Sequence, residues 1–222
     1  MTEALDSGAD STFAVVAPSF AGSPSAADLL SRLRASCDTV AVEDRVLAEV
    51  ADTDHPQGVL LVCRQPVVEL AGLPMKGAIL VLDAIQDPGN LGTLVRSACA
   101  FALDGVVVLD GSTDPWGAKA VRASAGSAFR VPIWSAPMAS TIDALNIRGA
   151  EVFVASGEGR PAAEVFGAKA PLMAVVLGNE GTGVRAELRE LAHDTVAVPM
   201  RGATESLNVG VAGSILMYEW TR

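Results

Sequence analysis

Residues 198–220, VPMRGATESLNVGVAGSILMYEW, form the stretch that decides the fold. An apolar run at 196–200 predicts a short strand, and a polar turn of small residues at 201–206 follows it. A helix is predicted from about residue 207 onward, with Ser206 as its N-cap. The apolar residues that recur at roughly helical spacing in this helix are Leu207, Val211, Ile215 and Met217.

Two features of this stretch point beyond an ordinary helix. Gly210 and Gly213 lie in the helix, where each glycine costs about 1 kcal/mol relative to alanine, so they indicate a specific reason, such as the close approach of another backbone. The turn carries Glu205, Ser206 and Asn208 at a helix N-terminus, where backbone N–H groups can hold a ligand. This stretch alone is compatible both with a simple capped helix and with a binding turn.

Two further stretches share this arrangement, namely residues 87–96, DPGNLGTLVR, and residues 177–184, LGNEGTGV. Each follows directly on an apolar run that predicts a strand. Taken together, and in this order, the three stretches resemble the sequence motifs of the SpoU (TrmH-like) RNA ribose 2′-O-methyltransferases of the SPOUT superfamily. The residues that carry the resemblance are Asn90 and Arg96, then Gly178, Asn179 and Glu180, and finally Pro199, Met200, Ser206, Leu207 and Asn208.

The resemblance implies an α/β domain with a parallel sheet and a C-terminal trefoil knot, which general folding rules would not propose. It also implies S-adenosylmethionine as the cofactor. The cofactor-binding residues that it implies are Leu177, Gly178, Asn179, Val198, Met200 and Leu207. From the residues alone, each apolar member of this set is equally compatible with core packing. The signatures of a dinucleotide-binding turn and of a phosphate-binding P-loop are both absent.

The catalytic residues that the resemblance implies are Asn90, Arg96, Glu180, Ser206 and Asn208. Arg96 is the residue expected to act most directly on the ribose hydroxyl. A guanidinium has a pKa of about 12.5–13.8, so holding the neighbouring phosphate and orienting the hydroxyl is an easier role for it than general base. A surface arginine paired with a carboxylate is the alternative interpretation.

Four other positions bear on this comparison. Arg122 and Ser124, in the segment KAVRASAG, have either an RNA-contact or a structural role. Ala102 and Gly210 depart from the pattern of the family, which usually has glycine and serine there.

Composition limits the classes of protein to be considered. The chain has 222 residues, half of them hydrophobic, with no apolar run long enough to span a membrane and no secretory signal at its acidic N-terminus. Three widely spaced cysteines without a CxxC pair predict reduced thiols and a cytoplasmic protein. His55 and His193 are isolated from other ligand-type residues, so no metal site is expected.

The formal net charge of −10 is spread unevenly. Residues 1–75 carry four Arg or Lys against eleven Asp or Glu, whereas residues 76–222 carry twelve against fifteen. An RNA-binding protein must concentrate positive charge on one face, and only the C-terminal part is close to balance.

Alternation of strands and helices predicts two α/β domains joined by a Pro- and Gly-containing linker at 66–76. Domain 77–222 has predicted strands at 78–83, 105–109, 130–134, 151–155, 172–177 and 195–200, and predicted helices at 90–103, 116–124, 139–145, 185–191 and 207–220. The near-continuous apolar strands predict a parallel sheet covered on both faces. Domain 1–65 has predicted strands at 13–17, 39–42 and 59–63, and predicted helices at 25–35, capped by Ser25, and 43–50.

The N-terminal domain resembles, more loosely, a truncated L30e-like substrate-binding domain. The resemblance rests on residues 54–59, DHPQGV, and the basic stretch that usually precedes such a domain is missing.

The leading hypothesis is an RNA 2′-O-ribose methyltransferase that acts on rRNA as a homodimer. The dimer is expected both from the family and from Met217, Tyr218 and Trp220, whose apolar side chains would need a partner surface. The alternatives are action on tRNA, a non-catalytic RNA-binding relative, and a small-molecule enzyme unrelated to RNA.

Overall fold

The computed structural model describes residues 1–24, 26–53, 55–166, 170–203 and 206–222. The chain divides into two compact units, Met1–Val67 and Val68–Arg222. Three residues used above, Ser25, Asp54 and Glu205, lie outside the described residues.

The first unit is a small α/β arrangement. Its elements are α1 (Thr2–Asp6), β1 (Ser11–Val16), α2 (Pro18–Ala21), α3 (Ala26–Ser36), β2 (Asp38–Ala41), α4 (Asp44–Val50) and β3 (Val59–Cys63). The strand order is β2-β1-β3, with β2 parallel and β3 antiparallel to β1. Ala14 and Val16 of β1 are buried, whereas Phe13 on the opposite face is 37% exposed.

The second unit is built on a six-stranded sheet in which every neighbouring pair is parallel. Its strands are β4 (Gly77–Leu82), β5 (Gly105–Leu109), β6 (Ile133–Ala136), β7 (Glu151–Pro161), β8 (Leu172–Leu177) and β9 (Asp194–Ala197). They lie in the order β6-β5-β4-β8-β7-β9.

Helices cover both faces of this sheet. They are α5 (Pro88–Ala100), α6 (Ala118–Ala123), α7 (Met138–Ile147), α8 (Ala162–Val165), α9 (Ala186–Glu190) and α10 (Val209–Thr221). Successive side chains of β4 point to opposite faces: Leu80 and Leu82 join the core beneath α5 and α10, and Ile79 and Val81 join the core beneath α7 and α9. The predicted parallel α/β sheet is therefore confirmed.

Three strands of the second unit differ from their predicted bounds by more than one residue. β9 ends at Ala197, because Pro199 has no N–H to continue the ladder. β6 begins at Ile133, because a 3-10 turn at Ser127–Phe129 occupies the chain just before it. β7 continues to Pro161, after an irregularity in its pairing with β9 between Ala155 and Arg160.

The start of α10 corrects the prediction for the C-terminal helix. The N-cap is Asn208 rather than Ser206, because the Asn208 side-chain oxygen accepts the N–H groups of Gly210 and Val211. The helix therefore begins at Val209, two residues later than predicted.

The buried face of α10 also differs from the predicted one. It consists of Val209, Gly210, Gly213, Leu216 and Met217, whereas Val211 is 48% exposed. A Cβ at Gly213 would lie 2.4 Å from Leu177 Cδ1 and 2.4 Å from Leu94 Cδ2. The close approach that Gly213 permits is thus to leucine side chains rather than to another backbone.

The segment that the sequence predicts as a linker is partly packed into the second unit. Leu70–Gly72 forms a 3-10 turn, and Leu73 is 3% exposed within the core. Trp134 Nε1 donates to the Glu69 carbonyl at 3.1 Å, and Arg148 Nε donates to the Leu73 carbonyl at 3.1 Å. No helix among the described residues is long and apolar enough to cross a membrane.

Candidate active site at the carboxyl ends of the strands

The three motif stretches follow β4, β8 and β9, so they leave the parallel sheet at the same edge. β4 and β8 are neighbours, with Leu82 opposite Leu177 at their carboxyl ends. Ligands of open parallel sheets bind at this edge, in the crevices between the loops.

A chain of hydrogen bonds joins one residue from each stretch. Asn208 Nδ2 donates to Asn90 Oδ1 at 2.8 Å, and Asn90 Nδ2 donates to Glu180 Oε1 at 2.7 Å. Because Asn208 Oδ1 caps α10, its amide nitrogen is left to donate to Asn90. The orientation of both amides is thus set by helix α10, and Glu180 is held as the acceptor at the end of the chain.

Asn179 folds the second stretch into a compact loop. Its side-chain oxygen accepts the N–H groups of Gly181 and Thr182, and its Nδ2 donates to the Ala84 carbonyl at 3.0 Å. Its backbone exchanges two hydrogen bonds with Gly183. Asn179 therefore shapes the loop that presents Glu180.

Gly178 is required by this loop itself. A Cβ at Gly178 would lie 2.3 Å from the Gly183 carbonyl carbon and 2.4 Å from the Val184 nitrogen. The space beside Gly178 is filled by its own loop, so a side chain there would distort the loop.

Arg96 lies on α5, six residues after Asn90, or about 9 Å further along the helix axis. Its side chain is exposed and forms no hydrogen bond or ion pair with another described residue. The structure therefore does not bring Arg96 into the hydrogen-bonded chain, and its guanidinium is free of a carboxylate partner in the described part of the protein.

The other residues of the predicted site differ in exposure. Met200 is 42% exposed, and Val198 and Leu207 are half-buried, so the loop after β9 offers apolar side chains to the edge of the sheet. Ser206 is exposed and has no hydrogen-bond partner among the described residues. Leu177 is 1% exposed and its carbonyl accepts the N–H of Asp83, so the structure places its side chain in the core.

Asp87 fixes the start of α5. It is the N-cap, and its Oδ1 accepts the N–H of Asn90 at 2.8 Å. That hydrogen bond is the main cause that holds the pKa of Asp87 below its usual value, and nearby Lys119, at 3.5 Å, adds to it. The cap therefore orients the turn that carries Asn90.

Sequence reasoning missed an ionic cluster of Asp83, Arg185 and Asp110 at the carboxyl ends of β4 and β5, in which Asp83 is buried and Asp110 is exposed. Asp83 is 0% exposed, and Arg185 Nε donates to its Oδ1 at 2.6 Å. Arg185 Nη1 also lies 3.4 Å from Asp110 Oδ2. Burial alone would lower the pKa of Arg185, but the two carboxylates outweigh it, so the pKa of Arg185 is raised. The signal that could have found the cluster is an aspartate directly after each of two apolar strands, at 83 and 110.

Ser124 has a structural role. It is 1% exposed, its hydroxyl donates to the Val121 carbonyl at 2.7 Å, and it follows α6 as its C-cap. Arg122, two residues earlier, is exposed.

Ala102 and Gly210 have a clear setting in the structure. Ala102 has a φ of +55°, in the left-handed region where glycine is favoured. A Cβ at Gly210 would lie 3.1 Å from Asn208 Oδ1, so a larger residue there would press on the helix cap.

The described residues contain no group of three or more His, Cys, Asp or Glu that could hold a metal ion. The three cysteines, Cys37, Cys63 and Cys99, are free thiols.

Comparison with known proteins identifies relatives along most of the chain. This chain is 38% identical over 178 residues to the 23S rRNA (guanosine(2553)-2′-O)-methyltransferase RlmP of Bacillus subtilis, and the match covers 80% of this chain and 70% of that protein. A structure of an AdoMet-bound rRNA methyltransferase from Sinorhizobium meliloti superposes with a TM-score of 0.86 at 27% identity, covering 99% of this chain and 82% of that one. The SpoU methyltransferase AviRb of Streptomyces viridochromogenes, in complex with AdoMet, gives a TM-score of 0.87 at 25% identity, covering 99% and 85%.

The sequence profile described as the SpoU rRNA Methylase family matches residues 77–218, which include the motif residues of all three stretches and the whole six-stranded sheet. The chain therefore belongs to the SpoU rRNA methylase family.

Proposed function

We propose that this protein is an S-adenosylmethionine-dependent methyltransferase that modifies a ribose 2′-hydroxyl of ribosomal RNA. The observation that carries the proposal is the hydrogen-bonded chain Asn208–Asn90–Glu180, which unites the three family motifs at the carboxyl edge of the sheet. The likeness to an rRNA 2′-O-methyltransferase of Bacillus subtilis and to two AdoMet-bound structures supports both the substrate and the cofactor.

The edge of the sheet fits an adenosyl group in chemical character. Val198, Met200 and Leu207 offer apolar side chains from the loop after β9, and Gly178 and Asn179 form the turn after β8, at the same edge of the sheet with β7 between the two strands. We propose that these residues hold the cofactor, with Leu177 contributing only through its backbone. Bound S-adenosylmethionine supplies an electrophilic methyl group.

The residues of this chain then have to hold and activate the ribose hydroxyl. Glu180 and Asn90 present an acceptor and amide groups in a fixed orientation, which positions a hydroxyl for in-line attack. Arg96 has no carboxylate partner among the described residues, so its guanidinium is available to hold the adjacent phosphate. Ser206 is exposed near the N-terminus of α10 and can hydrogen-bond the bound nucleotide.

Methyl incorporation tests this proposal directly. Purified protein, labelled S-adenosylmethionine and total RNA should give label in 23S or 16S rRNA, located as a 2′-O-methyl nucleotide by mass spectrometry. Label in tRNA alone would favour the alternative substrate. Cofactor binding without label in either RNA would favour a non-catalytic RNA-binding relative, and failure to bind the cofactor would contradict the assignment.

We also propose a homodimer formed through the outer surface of α5 and α10. The two helices lie side by side in register: Ser97 Oγ is 2.7 Å from Ser214 Oγ, and the Phe101 and Tyr218 rings are 6.0 Å apart. Val211 and Tyr218 are 48% and 49% exposed on α10, whereas Met217 is fully buried, so the sequence argument from Met217 does not hold.

Trp220 also has a partner within the chain, because its ring stacks on that of Phe166 with the ring centroids 5.8 Å apart.

Light scattering should give a dimer mass for the wild type and a monomer mass for Val211→Glu. Ile147→Glu, at a 79% exposed position on α7, is the matched control and should remain a dimer.

Two finer features of the fold are part of the proposal. The chain after β9 is expected to thread through a loop as a trefoil knot, which the SpoU family membership supports, and the first unit is expected to be an L30e-like domain. Pulling the chain by its ends would test the knot, because a knotted chain extends less than the contour length of 222 residues.

The proposed place of action is the cytoplasm, where rRNA is available, and three free thiols are consistent with a reducing compartment. The proposed reaction needs no metal, because the sulfonium of the cofactor already activates the methyl group. Methyl transfer should therefore persist in EDTA once the RNA itself is folded.

A further inference from the structure

We propose that Arg185 is a positioning residue that anchors the loop 178–184, and with it Glu180, to the carboxyl ends of β4 and β5. The expected effects on cofactor affinity and on catalysis rest on the proposed function. The anchoring itself is a property of this chain.

The first anchor of Arg185 is a buried carboxylate. Its backbone N–H donates to Asp83 Oδ2 at 2.7 Å, and its Nε donates to Asp83 Oδ1 at 2.6 Å. Asp83 directly follows β4 and is 0% exposed. Both carboxylate oxygens are therefore taken by the same residue, once through its main chain and once through its side chain.

The second anchor lies at the end of β5. Arg185 Nη2 donates to the Asp110 carbonyl at 3.2 Å, and Nη1 lies 3.4 Å from Asp110 Oδ2. Asp110 is itself fixed, because its Oδ1 accepts the N–H of Met138 at the start of α7 at 2.7 Å. One guanidinium thus joins the loop after β8 to the ends of two other strands.

This double anchor matters because of what the loop carries. Glu180 lies five residues before Arg185, and its carboxylate must meet Asn90, which belongs to α5. Asn179 ties the start of the loop to Ala84, and Arg185 ties its end to Asp83. Without the second tie, the loop is held to the sheet only at its Asn179 end, so it opens more often and its amide groups exchange faster.

A purely stabilising role does not account for an arginine here. Buried ion pairs contribute little net stability compared with apolar residues of similar size. The planar fork of a guanidinium presents its donors to two carboxylates in a fixed geometry, whereas a lysine ammonium is a compact point charge on a flexible stem without that geometry. The requirement for a fork is expected when loop position, rather than charge alone, has to be maintained.

Arg185→Lys tests the proposal, with Arg189→Lys, on the helix α9 that directly follows Arg185, as the matched control. Arg189 is exposed and lies one turn further along α9. Amide exchange at residues 180–183 should be faster in Arg185→Lys by at least about tenfold, the loss expected for a charge-assisted hydrogen bond. S-adenosylmethionine affinity by calorimetry should fall by a similar factor, RNA affinity should stay unchanged, and Arg189→Lys should match the wild type in all three.

Chemical rescue provides a second, independent readout. Arg185→Ala leaves a space between two carboxylates that fits a guanidinium ion, so millimolar guanidinium should restore cofactor affinity, whereas urea, its neutral analogue, should not. If Arg185→Ala does not fold, as circular dichroism would show, Asp110→Asn takes its place. That variant keeps the buried pair and should show a smaller acceleration of exchange in the same loop.

The outcomes separate this inference from the proposed function. If wild-type protein does not bind S-adenosylmethionine, the proposed function fails, but amide exchange still decides whether Arg185 anchors the loop. If Arg185→Lys lowers only the melting temperature and leaves both loop exchange and cofactor affinity as in the wild type, Arg185 is merely structural and the inference is overturned.

Discussion

The amide side chains of Asn90 and Asn208 could each be oriented in two ways, and the structure allows only one. The side-chain oxygen of Asn208 caps α10, so the side-chain nitrogen of Asn208 must face Asn90. Because Asn90 accepts that hydrogen bond through its oxygen, its nitrogen donates to Glu180. Replacement of Asn208 by aspartate would keep the cap but remove the donor to Asn90. The residues are therefore interdependent, and their single substitutions should not be additive.

Arg96→Ala should reduce methyl transfer by about 10²–10⁴-fold, the usual loss for a positioned group that acts in the transition state. Cofactor affinity should stay close to that of the wild type, because Arg96 lies on α5 and the proposed cofactor residues lie on the loops after β8 and β9. Single-turnover methylation and calorimetry measure the two effects separately. Equal loss of cofactor binding in a folded Arg96→Ala variant would contradict this division of the site.

Ala102→Gly should stabilise the protein by up to about 1 kcal/mol. Ala102 lies two residues after the end of α5 in a left-handed conformation, φ +55°, which costs an alanine about 1–2 kcal/mol, partly offset by the greater unfolded-state freedom of glycine. The residue is exposed, so no packing is lost. Thermal unfolding measures the effect; Ala100→Gly, within the same helix, should destabilise instead.

Residues of the site could be predicted from the sequence where a family motif contains them. Residues that only the fold brings together could not be predicted. Asn90, Glu180 and Asn208 were predicted as members of one site, and they are joined by hydrogen bonds. The pairing of Asp83 with Arg185 spans 102 positions and depends on β4 and β8 being neighbours. The local sequence pattern marks Asp83, as an aspartate directly after an apolar strand, but it does not indicate Arg185 as the partner of Asp83.

At the scale of secondary structure, α5 is the element on which the site depends most. Its N-terminus carries Asn90, and Gly92 lets α6 pack closely, since a Cβ there would lie 2.4 Å from the Ala120 carbonyl oxygen. Its other side packs against α10 through Ser97 and Ser214. Any change that tilts α5 therefore moves Asn90 and Arg96 together, relative to the loops after β8 and β9.

Asp87→Ala should destabilise the protein by about 1 kcal/mol at neutral pH, because α5 loses its N-cap. The pKa of Asp87 is lowered from 3.8 in the folded protein, chiefly by the N–H of Asn90, so the carboxylate contributes stability above that value. The contribution is lost as the pH falls through the lower folded-state pKa. Unfolding by urea between pH 7 and pH 2 should show the two proteins converging in acid; a constant difference would contradict this account.

Secondary structure was predictable to different degrees for physical reasons. The strands β4, β5 and β8 are continuous apolar runs buried on both faces, so their positions follow from composition. The register of α10 was not predictable from apolar spacing, because two of its five buried residues are glycines. Their burial reflects how closely Leu94 and Leu177 approach, which the periodicity of large apolar residues does not show.

At the scale of the whole molecule, the distribution of charge sets the two units apart. Most of the net charge of −10 lies in residues 1–75, where acidic residues outnumber basic ones by eleven to four. An acidic unit gains little from phosphate contacts, so RNA contacts through it must involve bases or shape rather than charge. The rate of RNA methylation should therefore fall steeply as the salt concentration rises, and this salt dependence should come from the basic residues of the second unit.

A fragment of residues 68–222 should fold and bind S-adenosylmethionine like the full chain, but methylate RNA poorly. The fragment starts at Val68 because Leu73 and the Glu69 carbonyl are part of the packing of the second unit. Calorimetry and methyl incorporation compare the two proteins. Equal methylation by the fragment would show that the first unit has no part in substrate binding.

Mapping of 2′-O-methyl nucleotides tests the central claim most directly. Mass spectrometry would compare rRNA and tRNA from cells with the protein, cells without it, and cells that carry only its Arg96→Ala variant. The account predicts that one 2′-O-methyl ribose in rRNA is missing without the protein, returns with the wild type and does not return with Arg96→Ala. Identical methylation of rRNA with and without the protein would contradict it.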